Sequence, residues 1–351
     1  MARERIIGFS IEAPKLKYGG TVAALATEIQ FVPDDRPKEL VELLGAQAEG
    51  LRRLSRLDGS EDLFRRCLRI SLQKDLLGAQ GWSFWGLASV LRARGAKSAS
   101  ARLYKEALAA ARLSGDRRCE LWSIAELSEL DRMAGRYKQA IEMHTYLRKE
   151  FRSIGDWKGV CWASLGIAQI YRLIRFLDRS TAEFIHTLET SEELGNAVGA
   201  GWAVRGLAEV ARERRDYAVS LALAKDCRER FLAIDYRLGS AYALKTQVDT
   251  LIDMDDYASA EHLATQCNQE FKACGEARGI GFALLTLGRL HAKQGEPGRA
   301  AILLKRSAKL LQLSSGSEPA AFSPSAELRR VRYMAAGRPL RRLCLAGKQN
   351  R

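Results

Sequence analysis

The stretch GWSFWGLASVLRARGAKSASARLYKEALAAARLSGD, residues 81–116, decides the fold. Trp82, Phe84, Trp85, Leu87, Ala88, Val90 and Leu91 recur at spacings of three and four, the mark of a helix with one apolar face. Gly95 stops that helix. Ala101, Leu103, Tyr104, Ala107, Leu108 and Ala111 carry the same spacing through a second helix, which Gly115 ends. Asp116 is then placed to cap the next helix by accepting a bond from a free backbone N–H. The unit reads as helix, turn, helix, turn, with helices of about 15 residues, or about 22 Å.

Working outward, the unit returns every forty residues without insertion or deletion. Trp82, Trp122, Trp162, Trp202, Tyr242 and Phe282 form one column, and Leu87, Leu127, Ile167, Leu207, Gln247 and Leu287 a second. A third is mostly small: Ala88, Ser128, Ala168, Ala208, Val248, Gly288. Two turn columns follow: Gly95, Gly135, Arg175, Arg215, Asp255, Gly295, and Gly115, Gly155, Gly195, Asp235, Gly275. A fixed period of this length marks a solenoid, in which each unit buries its face only against its neighbours.

Segments such as Leu87-Ala88-Ser89-Val90-Leu91 with Gly95, Gly135 through Ala140, and Leu287 through His291 with Gly295 and Ala300 resemble tetratricopeptide repeats. The forty-residue unit is similar to the longer variants in kinesin light chains and spindle-orientation adaptors. The resemblance implies an all-α, right-handed superhelical solenoid of helix-turn-helix repeats. Residues 79–316 give six units, 37–78 a degenerate first repeat with Glu42 in the aromatic column, 1–36 an arm or cap, and 317–351 a linker and basic tail. In the N-terminal segment, Phe9 to Ile11 and Glu28 to Val32 read as strand-like, and Tyr18-Gly19-Gly20 as a turn.

In that family the first helix of each unit lines a concave groove. The resemblance therefore puts Trp82, Trp122, Trp162, Trp202, Tyr242 and Phe282, with Trp85, on or near it. Ten residues on come Arg92, Arg132, Arg172 and Arg212. Aromatic anchors beside arginine forks suit a partner protein's peptide segment, acidic with interspersed apolar residues. The competing reading makes the aromatics core. Glu129 and Glu209 offer Arg132 and Arg212 helix-surface partners, which leaves Arg92 and Arg172 as the better candidates for ligand contact.

The formal net charge is +14. Arg329, Arg330, Arg332, Arg338, Arg341 and Arg342 concentrate part of it in the tail. An alternative function is thus regulation on nucleic acid through that tail, with the repeats as sensor or docking arm. Leu328, Val331, Tyr333 and Met334 form one face of a short helix that can cap the last repeat. Seven cysteines show no metal-ligand spacing, and Cys67, Cys227 and Cys267 share one core column, which suggests a reduced, cytoplasmic chain. No apolar run is long enough to span a membrane. The four histidines show no metal spacing, no phosphate-cradling glycine loop appears, and no nucleophile has an evident base, so neither enzyme activity nor a cofactor is expected.

Overall fold

The computed structural model describes residues 6–7, 10–11, 18–315 and 323–335. Sixteen helices account for nearly all of them. After α1 (Tyr18–Ile29) come the pairs α2 (Pro37–Arg53) and α3 (Leu57–Gln73), α4 (Leu77–Ala93) and α5 (Lys97–Ser114), and α6 (Arg117–Met133) and α7 (Tyr137–Ser153). Next are α8 (Trp157–Leu173) and α9 (Leu177–Glu193), α10 (Ala197–Glu213) and α11 (Tyr217–Ala233), and α12 (Arg237–Asp253) and α13 (Tyr257–Ala273). The last pair, α14 (Ala277–Lys293) and α15 (Pro297–Ser315), is followed by α16 (Pro324–Ala335). A two-residue antiparallel pairing, β1 (Ile6–Ile7) with β2 (Ser10–Ile11), lies against α2.

The helices run 17 residues in most cases, longer than the sequence spacing suggests, and from α2 to α15 one begins every twenty. The reason is a single repeated turn. Ser55, Asp75, Gly95, Gly115, Gly135, Gly155, Arg175, Gly195, Arg215, Asp235, Asp255, Gly275 and Gly295 all have positive φ. At each, the next residue's N–H bonds back five positions, as in Ala96 N to Leu91 O at 2.9 Å and Asp116 N to Ala111 O at 3.0 Å. This is the Schellman closure, with the left-handed residue just past the helix end. The residue that closes it is also the N-cap of the following helix, and Asp116, Asp156, Asn196, Asp216, Asp256 and Glu276 cap with their side chains.

Packing between helices is knob into hole. The Phe184 ring fills the space over Gly206, where an added Cβ would lie 2.2 Å from it, and Phe271 sits likewise over Gly279. Small polar side chains on second helices reach a first-helix carbonyl 26 residues back: Cys227 Sγ to Gly201 O at 3.2 Å, Ser307 Oγ to Gly281 O at 2.7 Å. The six cysteines among the described residues are therefore small core residues. Burial pushes the Cys67 and Cys227 thiols up to about 12. At the far end Val331 of α16 is buried with Phe282, Leu285, Leu304 and Leu311, while Arg329, Arg330 and Arg332 are exposed. Arg338, Arg341 and Arg342 lie outside the described residues.

The N-terminal segment keeps its strand reading at Ser10 and Ile11 and departs from it from Tyr18 on. Tyr18-Gly19-Gly20 opens α1, and Glu28 and Ile29 end it, because Val22, Leu25 and Ile29 fall on one helical face and pack toward α2. This α1, with the α2–α3 turn, closes the solenoid on itself. Tyr18 and Leu54 pack against Ile234, Tyr236 and Leu238 two hundred residues later in the chain. The Arg53 guanidinium stands 5.6 Å from the Tyr236 ring centroid, and Leu57 lies against Gly275. Tyr236 is the N-cap of α12 and makes no cap bond. It breaks the run of capping side chains where α1 docks.

A Cβ added at Gly115 would meet nothing within 4 Å. Gly115→Ala is therefore a pure test of the left-handed backbone. It should lower stability by about 1 kcal/mol, and Gly115→Asn by much less, in parallel urea or thermal melts.

Candidate functional site

The first helices of successive units face one chamber of about 440 Å³. Trp82, Trp85, Trp122, Trp162, Trp202, Tyr242 and Phe282 all line it, with Arg92, Arg132 and Arg172. Arg212 does not. It opens on a separate polar cleft with Glu213 and Asp253, and bonds Asp253 at 2.5 Å.

The aromatic column is both core and lining. Trp82 Nε1 donates to Asp116 Oδ2 at 2.8 Å, Trp122 Nε1 to Asp156 Oδ2 at 2.9 Å, and Tyr242 OH to Glu276 Oε2 at 3.2 Å. Each acceptor is the N-cap of the next unit's first helix, 34 residues on. Asp116 shows the geometry: Oδ1 accepts from Cys119 N at 2.9 Å, while Oδ2 takes the indole. One side chain thus satisfies a helix terminus and staples the neighbouring repeat. The rings also step edge to face along the chamber, Trp82 to Trp85 at 5.8 Å, Trp85 to Trp122 at 6.4 Å and Trp122 to Trp162 at 6.0 Å between centroids. Beyond it, Trp202 meets Tyr242 at 5.6 Å. Trp122 and Tyr242 pack on Phe151 and Phe271 of their own units' second helices. Trp122, Trp162, Trp202 and Tyr242 nonetheless stay only part-buried, with surface turned to the chamber.

The arginines are more engaged than their column suggests. Arg92, expected to lack a partner, meets Glu126 at 3.2 Å and Tyr104 OH at 3.4 Å. Arg172 is buried against Glu209 at 3.2 Å, Gln169 and Glu213. The carboxylates come from the following repeat, 34 to 41 positions on, and superhelical stacking brings them near. Arg132 forks onto Glu129 with contacts of 2.7 and 2.5 Å.

Several lining residues escaped the sequence reading. Arg205 sits 5.0 Å from the Trp202 ring and 5.5 Å from that of Tyr242, and bonds Glu209 at 2.8 Å. Arg118 bonds Asp156 at 2.7 Å. Arg278 stands 5.2 Å from the Phe282 ring, and Lys245 5.5 Å. The signal for Arg205 and Lys245 was present: they follow Trp202 and Tyr242 by three residues, in the column that Trp85 occupies. In all, ten basic and five acidic side chains line the chamber. Burial works to raise Glu129 and Glu209, but Arg132 and Arg278 outweigh it at the first, Arg172 and Arg205 at the second, and both are held down at about 2. Among the described residues no group of three His, Cys, Asp or Glu side chains is placed to hold a metal ion, and no helix is long and apolar enough to cross a membrane.

No family model and no curated protein matches this chain. Solved structures do. A Rap protein in complex with competence and sporulation factor superposes with a TM-score of 0.60 at 13% identity, over 84% of this chain and 81% of that one. A signal-transduction ATPase with numerous domains and a tetratricopeptide repeat sensor, from Pyrococcus horikoshii, gives 0.50 at 13% identity, over 94% of this chain and 51% of that one. At such identities the likeness defines the fold: an all-α, tetratricopeptide-like superhelical repeat solenoid.

His144 gives the chamber a pH dependence. The side chain is fully buried over Gly166, its ring 4.9 Å from that of Trp162. Burial lowers its pKa to about 4, with Arg132 adding to the effect and Glu129 opposing it. An unfolded histidine titrates near 6.5. As pH falls below that value the unfolded chain takes up a proton that the folded chain refuses, so stability is lost between pH 6.5 and about 4, by about 2 kcal/mol at pH 5. Glu129 and Glu209 contribute stability that is lost only as pH falls from about 4.5 toward 2. His144→Phe, the residue that Phe184 supplies in the next unit, should flatten the stability curve between pH 7 and 5 in denaturant titrations.

Proposed function

We propose that the protein is a non-catalytic interaction scaffold or adaptor that binds a peptide segment of a partner protein in the chamber. The observation that carries this reading is the pairing of aromatic faces with an excess of five positive charges in one chamber. Aromatic rings offer contact area at small entropic cost, and guanidinium forks match carboxylates. The preferred segment is acidic, with apolar residues interspersed. The forty-residue unit, similar to that of kinesin light chains, supports the same reading, as does the Rap protein held in complex with a factor. The six free, buried thiols among the described residues suit a reducing cytoplasm.

A second reading, nucleic-acid binding through the C-terminal segment, is supported by Arg329, Arg330 and Arg332, which α16 leaves exposed while Val331 docks. It requires salt-dependent binding that disappears when residues 321–351 are removed.

Selection from a displayed library of amphipathic peptides tests the scaffold. Acidic sequences should be enriched over basic ones after nuclease treatment. The Trp162→Ala, Arg205→Ala double variant should bind selected peptides about tenfold more weakly or worse. Selection without charge preference, or undiminished binding by the folded variant, would count against the chamber.

A further inference from the structure

Glu129 and Arg132 of α6, His144 of α7 and Arg278 of α14 meet on the chamber wall. One carboxylate there serves two guanidiniums, and Arg132 already holds it with a complete fork. Arg278 arrives from a unit far along the chain, and its Nη1 reaches Glu129 Oε1 only at 3.9 Å. Its Nε is buried and hydrogen-bonded to nothing among the described residues. Both ring nitrogens of the fully buried His144 are likewise without a hydrogen-bond partner.

The other chamber carboxylates are occupied. Glu49 is held by Arg52 and Arg53, Glu126 meets Arg92, Glu209 meets Arg172 and Arg205, and Glu276 caps α14 and accepts from Tyr242. Among the described residues there is thus no firm acceptor for the Arg278 fork. An arginine remains a cation in such a place, and a largely buried cation short of partners is costly. Burial, with the Arg132 cation adding to it, holds the Arg278 pKa below the usual guanidinium value.

We propose that Arg278, flanked by Arg132 and His144, is the recognition site for a carboxylate on the ligand that enters the chamber. A carboxylate is planar and matches the guanidinium fork with two parallel bonds. Phe282, beneath Arg278, and Trp162, beside His144, supply apolar surface for whatever carries it. The inference rests on the chamber being a binding site, and it assigns the acidic group a place.

The test compares 4-phenylbutyrate with the neutral 4-phenylbutyramide, titrated into the full chain and followed by tryptophan fluorescence. The acid should bind about tenfold more tightly than the amide, the value of one charge-assisted interaction. Arg278→Gln should abolish that preference. Arg278→Lys, which keeps the charge without the fork, should retain part of it, and Arg230→Gln on the outer surface should retain all of it. Equal binding of acid and amide by the native chain overturns the carboxylate site and leaves the chamber reading standing. A preference that survives in Arg278→Gln does the same. Binding of neither probe overturns both.

Discussion

A left-handed residue every twenty positions is the constraint on which the rest of this structure depends. Thirteen turns close in the same way, and seven of them use glycine. The other six place serine, aspartate or arginine where an L side chain carries a steric cost. Because the turns are alike and the helices equal, columns remain in register from Ser55 to Gly295. A contact once made between units can then be made again at the same offset. The indole-to-cap bonds at an offset of 34 and the thiol- or hydroxyl-to-carbonyl bonds at 26 both follow from that regularity.

Core and chamber wall are not alternatives for the aromatic column. A large amphipathic ring can give its polar edge to the neighbouring repeat and its face to the chamber. Trp122 does both at once, with its N–H on Asp156 and its ring between Trp85, Trp162 and Phe151. The same bonds that join the units thus hold the lining in place, which would keep the entropic cost of binding the proposed ligand low.

The solenoid was legible because a period is a global property that local irregularity does not hide. The arginine column was legible as a column, and so was Glu129 as the partner of Arg132, but not the partners of the other three, Arg212 included, which bonds Asp253 and not Glu209. Glu126, Glu213 and Asp253 reach Arg92, Arg172 and Arg212 only through superhelical stacking, which no spacing along one helix encodes. Arg278 reaches Glu129 only because the superhelix curls around a common space. The N-terminal helix was misread because short apolar alternations near Phe31 mask the wider spacing of Val22, Leu25 and Ile29. One clue to closure stood in the sequence: Tyr236 interrupts a run of capping side chains, Asp116, Asp156, Asn196 and Glu276.

That interruption has a consequence for how such a chain can change. An open solenoid gains or loses a unit with little penalty, since each unit contacts only its neighbours. Here Tyr18 and Leu54 must find Tyr236, five units away, and no other first-helix cap position from Leu76 to Glu276 offers them an aromatic ring. Inserting or deleting forty residues between them would carry the docking tyrosine past its mate and leave both ends unclosed. The ring converts an additive architecture into a counted one, in which the number of units is itself a structural residue.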